Sequence, residues 1–298
     1  VNWSPAVFIG YNSLAFDENL LRQAFYQTLQ PIYLTNSRGN SRGDIMHILH
    51  ATSVYAPNTL SIPINDSGRP TFRLDRIAPA NGFAHEDAHE AMADVEATIH
   101  LARLVKDRAP DIWLSMMKIT RKKNVVDLLK EHPVLTHSTV YSGQAHSWPV
   151  TYCGSNPNYD AELAAFDLRN PPEDYVGLSV EDLIGGLNQR PPVIRRVRAN
   201  AHPFLFPANQ VPSSVIDHEL GMKEIERRAW LIRKDGAFHE RVGKALIGRT
   251  ADKPPSPHVE LQIFDGFPNW ADERIMVGFH DVDWNDRSTH MDGLNDPR

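Results

Sequence analysis

Cysteine is almost missing from this chain: Cys153 is the only one. That excludes an internal disulfide framework and any cysteine-rich zinc site, and a reducing, cytoplasmic setting is expected. The glycosylation-like triplets at Asn2 and Asn65 are then chance matches. Also missing is any apolar run near the roughly 18 residues that a membrane helix needs. There is no excess of positive charge either: the net charge is −6, which does not advertise a nucleic-acid binder. No internal repeat or low-complexity tract is visible.

What is present is an ordinary globular mixture, 41% hydrophobic and 23% charged over 298 residues, long enough for two domains. The charge is unevenly spread. Residues 265–298 hold eight acidic side chains against Arg274, Arg287 and Arg298, so the rest of the chain is nearly neutral. A neutral body can still hold local basic patches, and the local field is what a polyanion feels. The sequence opens at Val1, directly before the apolar segment Ala6–Ile9, and stops at Asp296-Pro297-Arg298. The expectation is a piece of a longer protein.

Ala6–Ile9, ended by Gly10, reads as a buried strand. Leu20, Leu21, Ala24, Phe25 and Leu29 recur at helical spacing after Asp17, and Pro31 stops them. Residues 45–49 start a second helix. A stripe of Ala88, Ala91, Met92, Val95, Ile99, Ala102 and Val105 predicts the longest helix, ended by Pro110. One more helix is expected over 112–129, with Lys118, Arg121, Lys122, Lys123 and Lys130 along it. From about 137 short β-like segments alternate with turns: 137–141, 150–152, 163–168, 193–197 and 203–206. Ser179 with Asp182 resembles a capping box, and 222–247 is helical again. The texture predicts an α/β unit followed by a small barrel with inserted helices.

His85-Glu86-Asp87-Ala88-His89 matches H-E-x-x-H, a zinc-hydrolase pattern. Asp87 sits where such helices are apolar, and no third ligand follows at the usual spacing. The overlapping frame is H-x-A-x-x-D, from His89 to Asp94. On a continuous helix five residues turn about 500°, which separates the two side chains. With His89 on the loop entering the helix, a histidine base could instead swing toward a metal-bound carboxylate, an arrangement suited to hydrolysis by activated water. Gly10-Tyr11-Asn12-Ser13-Leu14-Ala15-Phe16-Asp17 puts Asn12 just past a strand and Asp17 at a helix N-terminus, where a carboxylate can cap the helix or face a metal.

Gly-Tyr-Asn-x-x-x-Phe-Asp followed by His-x-Ala-x-x-Asp resembles the second and third motifs of the DEDDh exonucleases. Asn40-Ser41-Arg42-x-Asp44, Pro70–Leu74, Ala80-Asn81-Gly82 and Ala88–Ile99 narrow the resemblance to the bacterial exonuclease I family. Weaker similarity continues through Asp167-Leu168, Asn200–Pro203 and Asp265-Gly266-Phe267. The resemblance implies a partial ribonuclease-H-like α/β exonuclease domain over 1–108, an SH3-like β-barrel domain with helices over 109–264, and the start of a helical C-terminal domain over 265–298. It implies 3′-to-5′ hydrolysis of single-stranded DNA to 5′-mononucleotides in DNA repair.

By the same resemblance His89 is the catalytic general base, and Asp17 and Asp94 are metal ligands for a two-ion Mg²⁺ or Mn²⁺ site. Arg73 holds the substrate near its terminal phosphate. Arg22, Tyr33, Lys122, Arg195 and Asn200 touch the DNA strand, cations following phosphates and Tyr33 stacking on a base. A single-strand DNA-binding protein is the implied protein partner, and no membrane is involved. The family's first motif, Asp-x-Glu-Thr-x-Gly, does not occur in this sequence. The chain therefore supplies two of the four metal-site carboxylates and is expected to be nearly inactive as given. Two other readings stay open: a non-catalytic single-strand-binding module, and the H-E-x-x-H zinc hydrolase. Within enzymes the alternative is a related ribonuclease or a proofreading subunit.

Overall fold

A computed structural model of the chain describes residues 3–83, 90–216, 219–249 and 254–298. The elements run β1 (Val7–Gly10), α1 (Asp17–Gln27), β2 (Ser41–Asp44), α2 (Ile45–Tyr55), α3 (Leu74–Ala80), α4 (Ala91–Arg108), α5 (Pro110–Lys118) and α6 (Lys122–Glu131). There follow β3 (Leu135–Tyr141), β4 (Gln144–Ser155), β5 (Glu162–Asp167), α7 (Val180–Asn188), β6 (Ile194–Arg198) and β7 (Phe204–Pro207). The chain closes with α8 (Ser213–Ile216), α9 (Gly221–Lys234), α10 (Gly236–Gly248), α11 (Trp270–Phe279) and α12 (Arg287–Met291). These elements form two compact units, neither contiguous in sequence: 1–6, 13–41 and 252–298 make one, and 7–12 with 42–251 make the other. Among the described residues no helix is long and apolar enough to cross a membrane.

The larger unit is built on a five-stranded antiparallel sheet in the order β6-β5-β4-β3-β7. Each of the five β-like segments expected from the sequence overlaps one of these strands, running at most one residue past its end. The small barrel is not what they build, because β6 and β7 are the edges of an open sheet. The reason lies in β5, where all six residues are buried. Leu163 and Ala165 face a core shared with α2, α4, α5 and α6. Ala164 and Phe166 face a second core shared with α7, α9 and α10. Successive side chains point to opposite faces of a strand, so both faces are roofed by helices. A small barrel would bury one face only.

Ser179 caps α7, accepting from the Asp182 amide at 3.1 Å while its hydroxyl donates back to the Asp182 carboxylate at 2.9 Å. The helical stretch expected over 222–247 consists of two helices, α9 and α10, because Asp235 accepts from the Phe238 amide at 2.8 Å and starts a new helix. The helix expected over 112–129 likewise divides into α5 and α6, the chain turning at 119–121. In α4 only the C-terminal end of the expected stripe, Ala102 and Val105, meets the core, and Ala88 lies outside the described residues. Ala97, Leu101, Leu104 and Val105 enter the core, whereas Met92 is 67% exposed and Val95 and Ile99 are exposed with it.

In the smaller unit α1 shows the same inversion. Leu20 and Leu21 are exposed, and the buried residue is Glu18, which accepts from the Thr35 hydroxyl at 2.8 Å. The Gln23 amide and the Tyr26 hydroxyl donate to the carbonyls of Glu260 and Val259. The segment just ahead of the acidic tail thus packs beside α1 in one unit. Buried Asp272 collects the tail itself, accepting from the amides of Asn295 at 2.8 Å and Asp296 at 3.1 Å.

Candidate active site

The Gly-Tyr-Asn turn leaves β1 in the larger unit. Tyr11 is directed inward, and its hydroxyl donates to the carbonyl of Phe72. Burial raises the Tyr11 pKa above its ordinary value, and the nearby Asp44 carboxylate adds to the effect, so the phenol stays a donor. Asn12 takes φ +54°, the left-handed region, and its amide donates to the Asp44 carboxylate at 2.8 Å. Two segments 60 residues apart in sequence are thereby brought side by side: the turn at 10–12 and the run at 70–74.

Between them lies a cavity of about 490 Å³, whose polar lining includes Tyr11, Asn12, His50, Asn65, Thr71 and Arg73. His50 is buried edge-on against the Phe72 ring, with centroids 4.2 Å apart. Burial and the neighbouring His47 push its pKa down to about 3, so it presents a neutral ring. Arg73 is mostly exposed and clamps Asp75 through both Nε and Nη2 at 3.1 Å. That guanidinium holds the Asp75 carboxyl below its usual range. An exposed bidentate pair is cheap to open, so Arg73 can exchange a carboxylate for a phosphate of matching geometry. The far wall is the β3–β4 turn, Ser142-Gly143, where both residues have positive φ. At Gly143 a Cβ would collide with the Pro70 carbonyl oxygen.

The other expected site residues fall as follows. Asp17 is exposed in the first turn of α1, in the smaller unit. There too, the Arg22 guanidinium lies 5.4 Å from the centre of the Tyr33 ring, 3.7 Å from Glu18, and Tyr33 is tilted against Phe267 at 5.9 Å. Asp94 is half-buried in the first turn of α4, in the larger unit. His89, like His85 and Glu86, lies outside the described residues. Among the described residues no group of three or more His, Cys, Asp or Glu side chains could hold a metal ion. The described part of the chain therefore does not make up a metal site by itself.

Lys122 and Asn200 come to one loop. Lys122 pairs with Asp160 at 2.8 Å, and the Asn200 amide donates to the Tyr159 hydroxyl at 2.9 Å. Arg195 stands apart from them. Its side chain is 8% exposed, it donates from Nε and Nη2 to Asp167 at 3.3 and 3.0 Å, and it lies 3.5 Å from the centre of the Trp148 ring. The apparent basic run at 195–198 is split by the pleat: Arg196 turns to Glu162 at 2.6 Å while Arg195 turns to Asp167, and Arg198 is exposed. Reading from sequence passed over His50 and the Ser142-Gly143 turn. The turn had a usable signal, a two-residue loop ending in Gly between two β-like runs. His50 had none.

No protein-family model matches the chain. The fold is an exonuclease fold. It superposes over 95% of this chain and 63% of the other on E. coli exonuclease I in complex with a dA16 oligonucleotide, at a TM-score of 0.80 and 25% identity. In sequence the chain is a homologue of the exodeoxyribonuclease I proteins. It is 28% identical to that of E. coli K12 over 90% of this chain and 59% of the relative. It is 25% identical to that of Haemophilus influenzae Rd, over 97% and 64%. The chain thus spans about three fifths of the length of the relatives it matches.

Proposed function

We propose that this chain carries the strand-end site of a 3′-to-5′ single-stranded DNA exonuclease of the exonuclease I type. The carrying observation is that Tyr11-Asn12 and Phe72-Arg73, two segments with separate resemblances, line one cavity and are joined by the Tyr11–Phe72 hydrogen bond. The strand's terminal nucleotide enters there, Arg73 leaving Asp75 for a phosphate. Lys122 and Asn200 take the backbone farther along, and Arg22 with Tyr33 offers a cation and a stacking face. Arg195 supports the sheet through Asp167 and Trp148 rather than reaching the strand. In residue terms the exonuclease domain occupies 1–108, the second domain, resembling the family's SH3-like domain, 109–264, and the start of the third 265–298.

Hydrolysis requires a divalent metal, Mg²⁺ or Mn²⁺. Asp17 and Asp94 are its candidate ligands and His89 the candidate base, and two further carboxylates absent from this sequence complete the set. The setting is cytoplasmic, with a single-strand DNA-binding protein as partner. The test uses a fluorescent single strand in Ca²⁺ and, separately, nucleotide release from a 3′-labelled strand in Mg²⁺. Salt-dependent binding of single strands over duplex, with negligible release, is expected. Equal binding of duplex, or turnover matching a full-length relative, overturns the reading.

A further inference from the structure

The Asn12 turn is costly to hold. A non-glycine residue at φ +54° persists where its surroundings over-determine it. Here the Asp44 carboxylate does so. A single oxygen, Oδ1, accepts from the Asn12 amide at 2.8 Å and from the Met46 amide at 3.0 Å. The second bond is the N-cap of α2, so the turn and the helix share one acceptor. Asp44 is fully buried, and the direction of its side chain is set by its own backbone.

That backbone is held in turn. The Asp44 N–H donates to Nδ1 of His202 at 3.1 Å, and Nε2 of the same ring meets the Met116 carbonyl in α5 at 2.9 Å. A backbone N–H can only donate and a carbonyl can only accept. The two bonds therefore fix a neutral ring with its proton on Nε2. His202 is 1% exposed, and its carbonyl accepts from Nδ1 of His47 at 3.1 Å. The Arg42 guanidinium donates to the Asn200 carbonyl at 3.3 Å. Three bonds thus clasp the loop after β6 around the junction of β2 and α2, at a sequence distance of 155 residues or more, and a fourth ties the loop to α5.

We infer that His202 is a positioning residue of the strand-end cavity: through the Asp44 amide it aims the Asp44 carboxylate, which holds the Asn12 turn open against Arg73. This inference rests on the reading of the cavity as the strand-end site. Its backbone also constrains the test, because His202 itself has φ +51°. Asparagine and glycine both tolerate that conformation. Asparagine keeps an acceptor at the place of Nδ1, and glycine keeps none.

The experiment compares the full chain with its His202→Asn and His202→Gly variants by hydrogen exchange, read on the peptide carrying Asn12, and by affinity for a short single strand in Ca²⁺. In His202→Gly the Asn12 amide should exchange about tenfold faster, the worth of one lost hydrogen bond, while amides of β3–β5 stay protected. The affinity should fall about tenfold. His202→Asn should stay within about twofold on both. Unchanged Asn12 exchange in the glycine variant, or loosening spread evenly over the larger unit, overturns the inference, as does an asparagine variant no better than glycine. If the wild-type chain binds no single strand, the cavity reading falls, and the exchange measurements still decide what His202 does.

Discussion

Two buried histidines should make this protein acid-sensitive between pH 7 and pH 5, above the range where carboxylates of ordinary pKa titrate. His50 is enclosed by His47, Phe72 and Phe204, and His202 by His47, the Asp44 amide and the Met116 carbonyl. Burial is the larger cause of each shift and His47 the next, and both rings have pKa values pushed down to about 3. In the unfolded chain a histidine titrates near 6.5. Between those values the unfolded chain binds more protons than the folded one, so stability rises with pH there. It is present in full above about pH 6.5 and is lost as pH falls from 6.5 toward 3. At pH 5 the cost is about 2 kcal/mol per ring, or about 4 kcal/mol for the pair, relative to pH 7. The assay is urea unfolding at pH 7 and pH 5, followed through tryptophan fluorescence. His202→Asn should lose about 2 kcal/mol less than wild type across that interval. An identical pH dependence in wild type and His202→Asn would refute a neutral buried ring.

Two other outcomes separate structural cations from strand-binding ones. Asp167→Ala should cost about 3–5 kcal/mol in thermal or urea unfolding, because it strands the Arg195 guanidinium in a buried site; a loss below about 1 kcal/mol would mean that Arg195 escapes to solvent. Lys122→Ala, which breaks an exposed pair with Asp160, should leave stability within about 1 kcal/mol, while flattening the salt dependence of single-strand binding by about 0.7 in log–log slope; an unchanged slope would remove Lys122 from the strand path.

Much of the local structure was legible in the residues. The capping pair Ser179–Asp182, the five β-like runs and the Gly-Tyr-Asn turn are properties of neighbours in sequence, governed by hydrogen bonds and side-chain periods a few residues long. The H-x-A-x-x-D frame was equally plain, although its histidine lies outside the described residues. What neighbours could not say was which side of an element would be buried. The α4 stripe predicted burial of Met92, Val95 and Ile99, and the core took Ala97, Leu101 and Leu104, because burial depends on what packs against a helix and not on its own period. The barrel failed for the same reason: alternation in β5 cannot reveal that both its faces have helical roofs. Charge misled likewise at 195–198, where a basic run became separate ion pairs once the pleat sent Arg195 and Arg196 to different carboxylates. The cavity itself is wholly tertiary. Tyr11 meets Phe72, Asp44 meets His202, and Gly143 meets Pro70 across sequence separations that only folding closes. Sequence determined which groups were available to donate and accept. The fold decided which of them would meet, since a hydrogen bond acts over about 3 Å and the chain brings its distant segments that close only when its core is packed.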